Sequence, residues 1–166
     1  MKITYERIIE SVNELKSLSK ENEFEVAGLV IHSIANYVSN REKSLDMIQV
    51  LMDENIQPLS NVLRSQIDDR MKQNNKAGYI AKSYFEGANP GNNYTPSMPL
   101  TIEIKTNIYT YENQGYARLL LKSGGADSDR IITLRKTKDN RWLLFSDSVL
   151  GLLADIRKPE EENPWA

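Results

Sequence analysis

The stretch Gly124-Gly125-Ala126-Asp127-Ser128-Asp129-Arg130 holds the densest set of groups that could do chemistry in this 166-residue chain. Successive glycines can turn backbone N–H groups toward one point and form an anion nest, and Arg130 adds a guanidinium suited to phosphate or carboxylate. The Asp-Ser-Asp run can instead offer oxygen ligands to a hard cation, although the glycine and acidic ligand found later in an EF-hand loop are missing. A plain hairpin connection, with glycines that merely allow positive φ, recruits the same residue types. All three readings stay open at this level. A second stretch, Ser83 to Pro99, supplies Tyr84 and Tyr94 for stacking, with Glu86 and Asn93 as polar contacts. Candidate acids for carboxylate-based catalysis are Glu86, Asp127 and Asp129, but spacing alone does not set two of them across one substrate. Near the C-terminus stand Arg157 and Trp165. Tryptophan is a frequent anchor, so Trp165 is expected to dock on its own domain or on another chain.

Several chemistries are disfavoured. The chain has no cysteine, hence no disulfide framework, thiolate nucleophile or cysteine-based zinc site. Its single histidine, His32, lies within the most apolar segment and reads as a hydrogen-bonded core residue. No Gly-x-Ser-x-Gly elbow, P-loop, dinucleotide fingerprint or His-Glu-x-x-His pair is present. The reading therefore leans away from an enzyme and expects no catalytic residue, metal or cofactor. A net charge of -2 and the lack of a stacking motif disfavour nucleic acid. No apolar run approaches the roughly 20 residues of a membrane span and the N-terminus has no signal-peptide core, so a cytoplasmic location is expected. Asn93-Tyr94-Thr95 matches a glycosylation sequon, which needs a secretory route.

These residues must be positioned by the elements around them, and 166 residues with 40% apolar content fit one domain, 1–166. Positions 1–76 read as a helical half. Tyr5, Ile8, Ile9, Val12, Leu15 and Leu18 recur at helical spacing and predict a first helix. Asn22 with Glu25 starts a second, apolar on nearly all sides, that runs through Val38 and should be central. Ser39 with Glu42 starts a third, and Pro58 opens a fourth along Leu59, Val62, Leu63, Ile67 and Met71. Positions 77–99 read as a long ordered loop whose aromatics Tyr79, Tyr84, Phe85 and Tyr94 pack down. Positions 100–146 alternate as a four-stranded antiparallel meander: Leu100, Ile102, Ile104 and Ile108 face inward, followed by strands carrying Leu119, Ile132 and Trp142. A short closing helix and a tail fill 147–166. Helices first and strands second is the order of an α+β domain. The outer face of this sheet collects Lys105, Arg118, Lys122, Arg135 and Arg141 beside Tyr116 and Glu103, either as a solvated face or as a surface for an acidic or phosphorylated partner.

Three motifs in order carry a resemblance. Ser83-Tyr84-Phe85-Glu86-Gly87-Ala88-Asn89-Pro90 with Asn92-Asn93-Tyr94-Thr95-Pro96, Ser123-Gly124-Gly125-Ala126-Asp127-Ser128 with Thr133-Leu134-Arg135-Lys136, and Ile156-Arg157-Lys158-Pro159 with Pro164-Trp165-Ala166 resemble an uncharacterised family of small bacterial or phage-borne proteins, a domain of unknown function. The resemblance implies a standalone cytoplasmic protein and carries over no catalytic residue. In layout alone the chain is also similar to the nuclear-transport-factor-like cone fold. The function expected is a non-enzymatic binding or accessory protein that recognises another protein through the 83–96 loop, the 123–130 loop and the tail. The alternative is a module that captures a small phosphorylated or nucleotide-like ligand with Tyr84, Glu86, Asn93, Tyr94, Gly124, Gly125, Asp127, Ser128 and Arg130. Association with a second copy is left open.

Overall fold

Ser11, Asn22, Asn40 and Ser60 each accept a backbone N–H three residues ahead on a side-chain oxygen, and each thereby fixes where a helix begins. In the computed structural model, which describes residues 1–165 and the backbone alone at position 74, the chain opens with strand β1 (Lys2–Tyr5). Helices α1 (Val12–Ser17), α2 (Glu23–Ala35), α3 (Arg41–Met52) and α4 (Asn61–Lys72) follow. Strands β2 (Leu100–Lys105), β3 (Tyr116–Leu121), β4 (Arg130–Lys136) and β5 (Trp142–Leu144) come next, then a short helix α5 (Val149–Leu152). No helix among the described residues is long and apolar enough to cross a membrane.

Helix α2 is the centre of the packing. Val26, Ala27, Leu29, Val30, Ile31 and Ile34 are buried around it, and it touches all five strands of a sheet that curls about it in the order β1-β2-β3-β4-β5, every pair antiparallel. The inward positions are those that alternation predicts: Leu100, Ile102 and Ile104 on β2, Ala117, Leu119 and Leu121 on β3, Ile132 and Leu134 on β4. Strand β2 changes neighbours along its length. Ile102 faces Ile3 of β1 on one side and bridges Phe85 on the other, whereas Ile104 pairs with Leu121 of β3.

The α+β class stands, with corrections. The sheet has five strands, because Lys2–Tyr5, expected to lead into a first helix, is a strand paired with β2. The helical spacing of Tyr5, Ile8 and Ile9 is coincidental: helix begins only where Ser11 caps, and the backbone of Ile9 is instead held by α2, whose His32 Nδ1 accepts its N–H at 2.9 Å and whose Asn36 donates to its carbonyl at 2.9 Å. The second helix stops at Ala35, short of Val38. Asn40, not Ser39, caps α3, and Val62 falls off the Leu59-Leu63-Ile67-Met71 stripe and stands 68% exposed. Ile108 is also outside, 86% exposed, because Asn107 and Thr110 close a turn after Lys105.

The outer sheet face is largely self-neutralised. Lys105 meets Asp129 at 3.4 Å, Lys122 meets Glu103 at 3.8 Å, Arg141 meets Asp53 at 3.0 Å and Asp139 at 2.9 Å. Arg135 lies over the rings of Tyr116 and Phe145. What parity suggests as a basic patch is thus mostly a solvated face with its own counter-charges.

Candidate functional site

Two buried hydroxyls join the first two motif segments. Gly125 N–H donates to Ser123 Oγ (3.2 Å), Ser123 Oγ bonds Ser83 Oγ (2.8 Å), and Ser83 Oγ donates to Ile80 O (2.6 Å), a chain in which each donor polarises the next. Gly124 N–H donates to Ser83 O at 2.7 Å. Both glycine amides are therefore committed inside the protein, which leaves neither free for the anion-nest reading.

The reason for the glycines is close approach. The stretch is the connection of the β3–β4 hairpin, but neither glycine is among the positive-φ glycines, which are Gly87 and Gly115. A Cβ at Gly124 would overlap Ala88 O, and one at Gly125 would overlap the Tyr94 hydroxyl and, at 2.8 Å, Ile156 Cγ2. Without side chains at these two positions the three segments come together.

The 83–96 loop is shaped by its own side chains. Short 3₁₀ turns at Gln73–Gly78, Lys82–Tyr84 and Pro90–Asn92 order it. Asn89 and Asn92 cap each other reciprocally at 3.0 and 3.1 Å, and Asn92 also donates to Gly87 O at 2.6 Å. Asn93 and Tyr94 then take left-handed φ values of 53° and 52°, and the chain reverses so that Tyr94 enters the core while Asn93 stays outside. Tyr94 stacks on Tyr79 at 5.1 Å and gives its hydroxyl to Arg157 O. Tyr84, 1% exposed, gives its hydroxyl to Leu152 O. Burial pushes the Tyr94 hydroxyl up to about 12 and the Tyr84 hydroxyl higher still. Neither ring is open to stack on a ligand, contrary to the expectation from sequence.

The charged candidates are also engaged. Arg130 Nε donates to Ala154 O (3.1 Å), Nη1 to Ser128 O and Oγ (both 3.1 Å), and Nη2 to Asp155 O (3.2 Å), so its fork ties down the chain leaving α5. Glu86 pairs with Lys2 at 2.6 Å, Asp127 with Arg157 at 2.8 Å and Asp129 with Lys105. Each expected acid thus faces a cation.

The tail completes the convergence. Arg157 N–H donates to Gly125 O at 2.9 Å, and Ile156 and Pro159 are buried. Trp165 does not follow: it is 92% exposed, which corrects the expectation that it docks on its own domain. Sequence reasoning missed Ser83, Ser123, Tyr79 and Ile156 as members of the cluster. The available signal was a serine opening both of the first two motifs, each just before aromatic or glycine residues. Beside the cluster is a cleft of 240 Å³ lined by Glu86, Glu103, Lys122 and Gly124 among others, while a larger cleft, 770 Å³, lies elsewhere, between Lys16, Lys20, Asp46, Asp53 and Arg141.

The family model described as a domain of unknown function (DUF6935) matches residues 7–160, and the chain belongs to that family. No curated protein and no solved structure matches it. The matched residues take in the Ser83–Ser123–Arg157 cluster and leave β1 and Trp165 outside.

Proposed function

We propose that this protein is a binding module that recognises another protein, with the joined 83–96, 123–130 and 156–165 segments as its working face. One observation carries the reading: Trp165 stands 92% exposed on a tail whose base is fixed to Gly125 and Tyr94. An indole left in water on an anchored stem suits insertion into an apolar pocket of a partner, since little ordering remains to be done on this side. Exposed Glu160, Glu161 and Glu162 beside it favour a partner with a basic rim. The ligand-capture alternative draws less support, because the amides, rings and guanidinium it would use already bond within the chain.

Fluorescence gives a direct test. Trp142 is 7% exposed, so a Trp142→Phe protein reports Trp165 alone. Affinity purification from the native host should recover a stoichiometric partner, and adding that partner should shift Trp165 emission to the blue and shield it from iodide. Trp165→Ala should weaken capture at least about tenfold with the melting temperature unchanged. Equal capture by Trp165→Ala would end this reading.

A further inference from the structure

The sheet has two outer edges, and only one is closed. On β5, Trp142 N–H donates to Lys20 O at 2.7 Å and Leu144 O accepts from Gln57 Nε2 at 3.0 Å, so the connections flanking α1 and α3 cover that side. On β1 the Met1 amino group donates to Ile104 O at 2.7 Å and Ile104 N–H returns to Met1 O at 2.8 Å. Antiparallel alternation then turns Ile3 and Tyr5 toward β2 and the N–H and C=O of Lys2 and Thr4 away from it. The 3.3 Å contact between the Thr4 and Thr101 hydroxyls fits a non-hydrogen-bonded pair. Among the described residues these four outward groups have no backbone partner. An edge of this kind is a template for another strand.

Beside the edge runs a cleft of 520 Å³ lined by Ile3, Tyr5, Ile9, Leu18 and Leu29, with Glu6 and Glu25 at its margin. Ile3 and Tyr5 share the inward face, so alternate side chains of an added strand would point into this apolar cleft. The charge around it is acidic. Arg7 is neutralised by Glu14 at 2.8 Å and Lys2 by Glu86, whereas Glu6 and Glu25 join no ion pair among the described residues.

We propose that β1 is a strand-addition site for an extended peptide with apolar residues at alternate positions and lysine or arginine at its ends. Main-chain bonds to Lys2 and Thr4 would supply affinity, the cleft would select apolar side chains, and Glu6 with Glu25 would select the basic ends. This site does not use Trp165, and it adjoins the 83–96 segment through the Lys2–Glu86 pair.

The test uses fluorescein-labelled Lys-Val-Thr-Val-Thr-Val-Lys and its counterpart with glutamate at both ends. Anisotropy should show saturable binding of the lysine peptide to the full chain, with Kd below about 1 mM, and none of the glutamate peptide. Thr4→Pro removes an outward N–H, which an edge strand tolerates, together with the exposed hydroxyl contact to Thr101, and should weaken binding at least about tenfold. Should Thr4→Pro fail to fold, the Glu6→Lys/Glu25→Lys double variant decides: it should prefer the glutamate peptide. No saturable binding to the unaltered protein, equal binding by folded Thr4→Pro, or unchanged preference in the double variant overturns the proposal. So does a protein that sediments as a dimer and becomes monomeric on Thr4→Pro, which would assign the edge to a second copy.

Discussion

His32 is held neutral by its surroundings. It is fully buried, Nδ1 accepts the Ile9 amide, and the rings of Tyr5 and Phe85 meet it edge-on at 4.1 and 5.9 Å. Burial, reinforced by Arg7, lowers its pKa to about 4 from 6.5. Between those values the unfolded chain binds the proton and the folded one does not, so stability falls as pH drops from 6.5 and the loss is complete below 4. The total is about 3 kcal/mol. Urea melts at stepped pH should show this slope, and His32→Asn should flatten it between pH 6.5 and 4. A separate loss belongs to Asp68. Arg41 grips it with Nε at 2.8 Å and Nη2 at 2.7 Å, and this pairing, with the Tyr37 hydroxyl, holds its carboxyl down to about 2. Its contribution is present above the ordinary value of 3.8 and disappears as pH falls toward 2. Asp68→Asn should cost about 1–3 kcal/mol at pH 7 and remove the acid loss in that lower window. That His32 is a core residue was readable from its apolar neighbours in sequence. Its partner was not, because Ile9 carries helical spacing and only the tertiary contact shows that its amide bonds His32 and lies outside any helix.

At the level of elements, the contacts between segments matter more than the segments. Gly124→Ala would push a methyl group into Ala88 O, a backbone atom that cannot swing aside. Thermal unfolding should show a loss of about 2–4 kcal/mol, larger than the roughly 1 kcal/mol typical of a point change. Arg130→Ala should cost about 1 kcal/mol by removing its bonds to the part-buried Ala154 carbonyl and the exposed Asp155 carbonyl, and Arg130→Lys should recover little of it because a single ammonium cannot replace the fork. Periodicity made α2 to α4 and β2 to β5 legible, since Leu119, Ile132 and their neighbours repeat with the period of the element that holds them. It also allowed the aromatics of the 77–99 stretch to be read as packed. The destination of Tyr84 and Tyr94 was hidden, because their acceptors, Leu152 O and Arg157 O, are main-chain atoms 68 and 63 residues away that any residue type could supply.

For the whole molecule, the curled sheet sets the order of assembly. β3 and β4 are joined by a short connection, with Leu119 facing Ile132, whereas the Met1 amino group bonds Ile104, 103 residues along. Local pairs form before distant ones, since closing a long loop costs entropy first. Pulse-labelled hydrogen exchange during refolding should find the β3 and β4 amides protected earlier than those of Ile3 and Tyr5. Simultaneous protection would show that β1 belongs to the folding nucleus. The same separation has a meaning in time during synthesis. At ribosomal speeds of about 5–20 residues per second, roughly 5–20 s pass between the making of β1 and of its neighbour β2. Throughout that interval the Ile3 and Tyr5 segment has no β2 to pair with, and it waits for that strand while helices α1 to α4 are made between them.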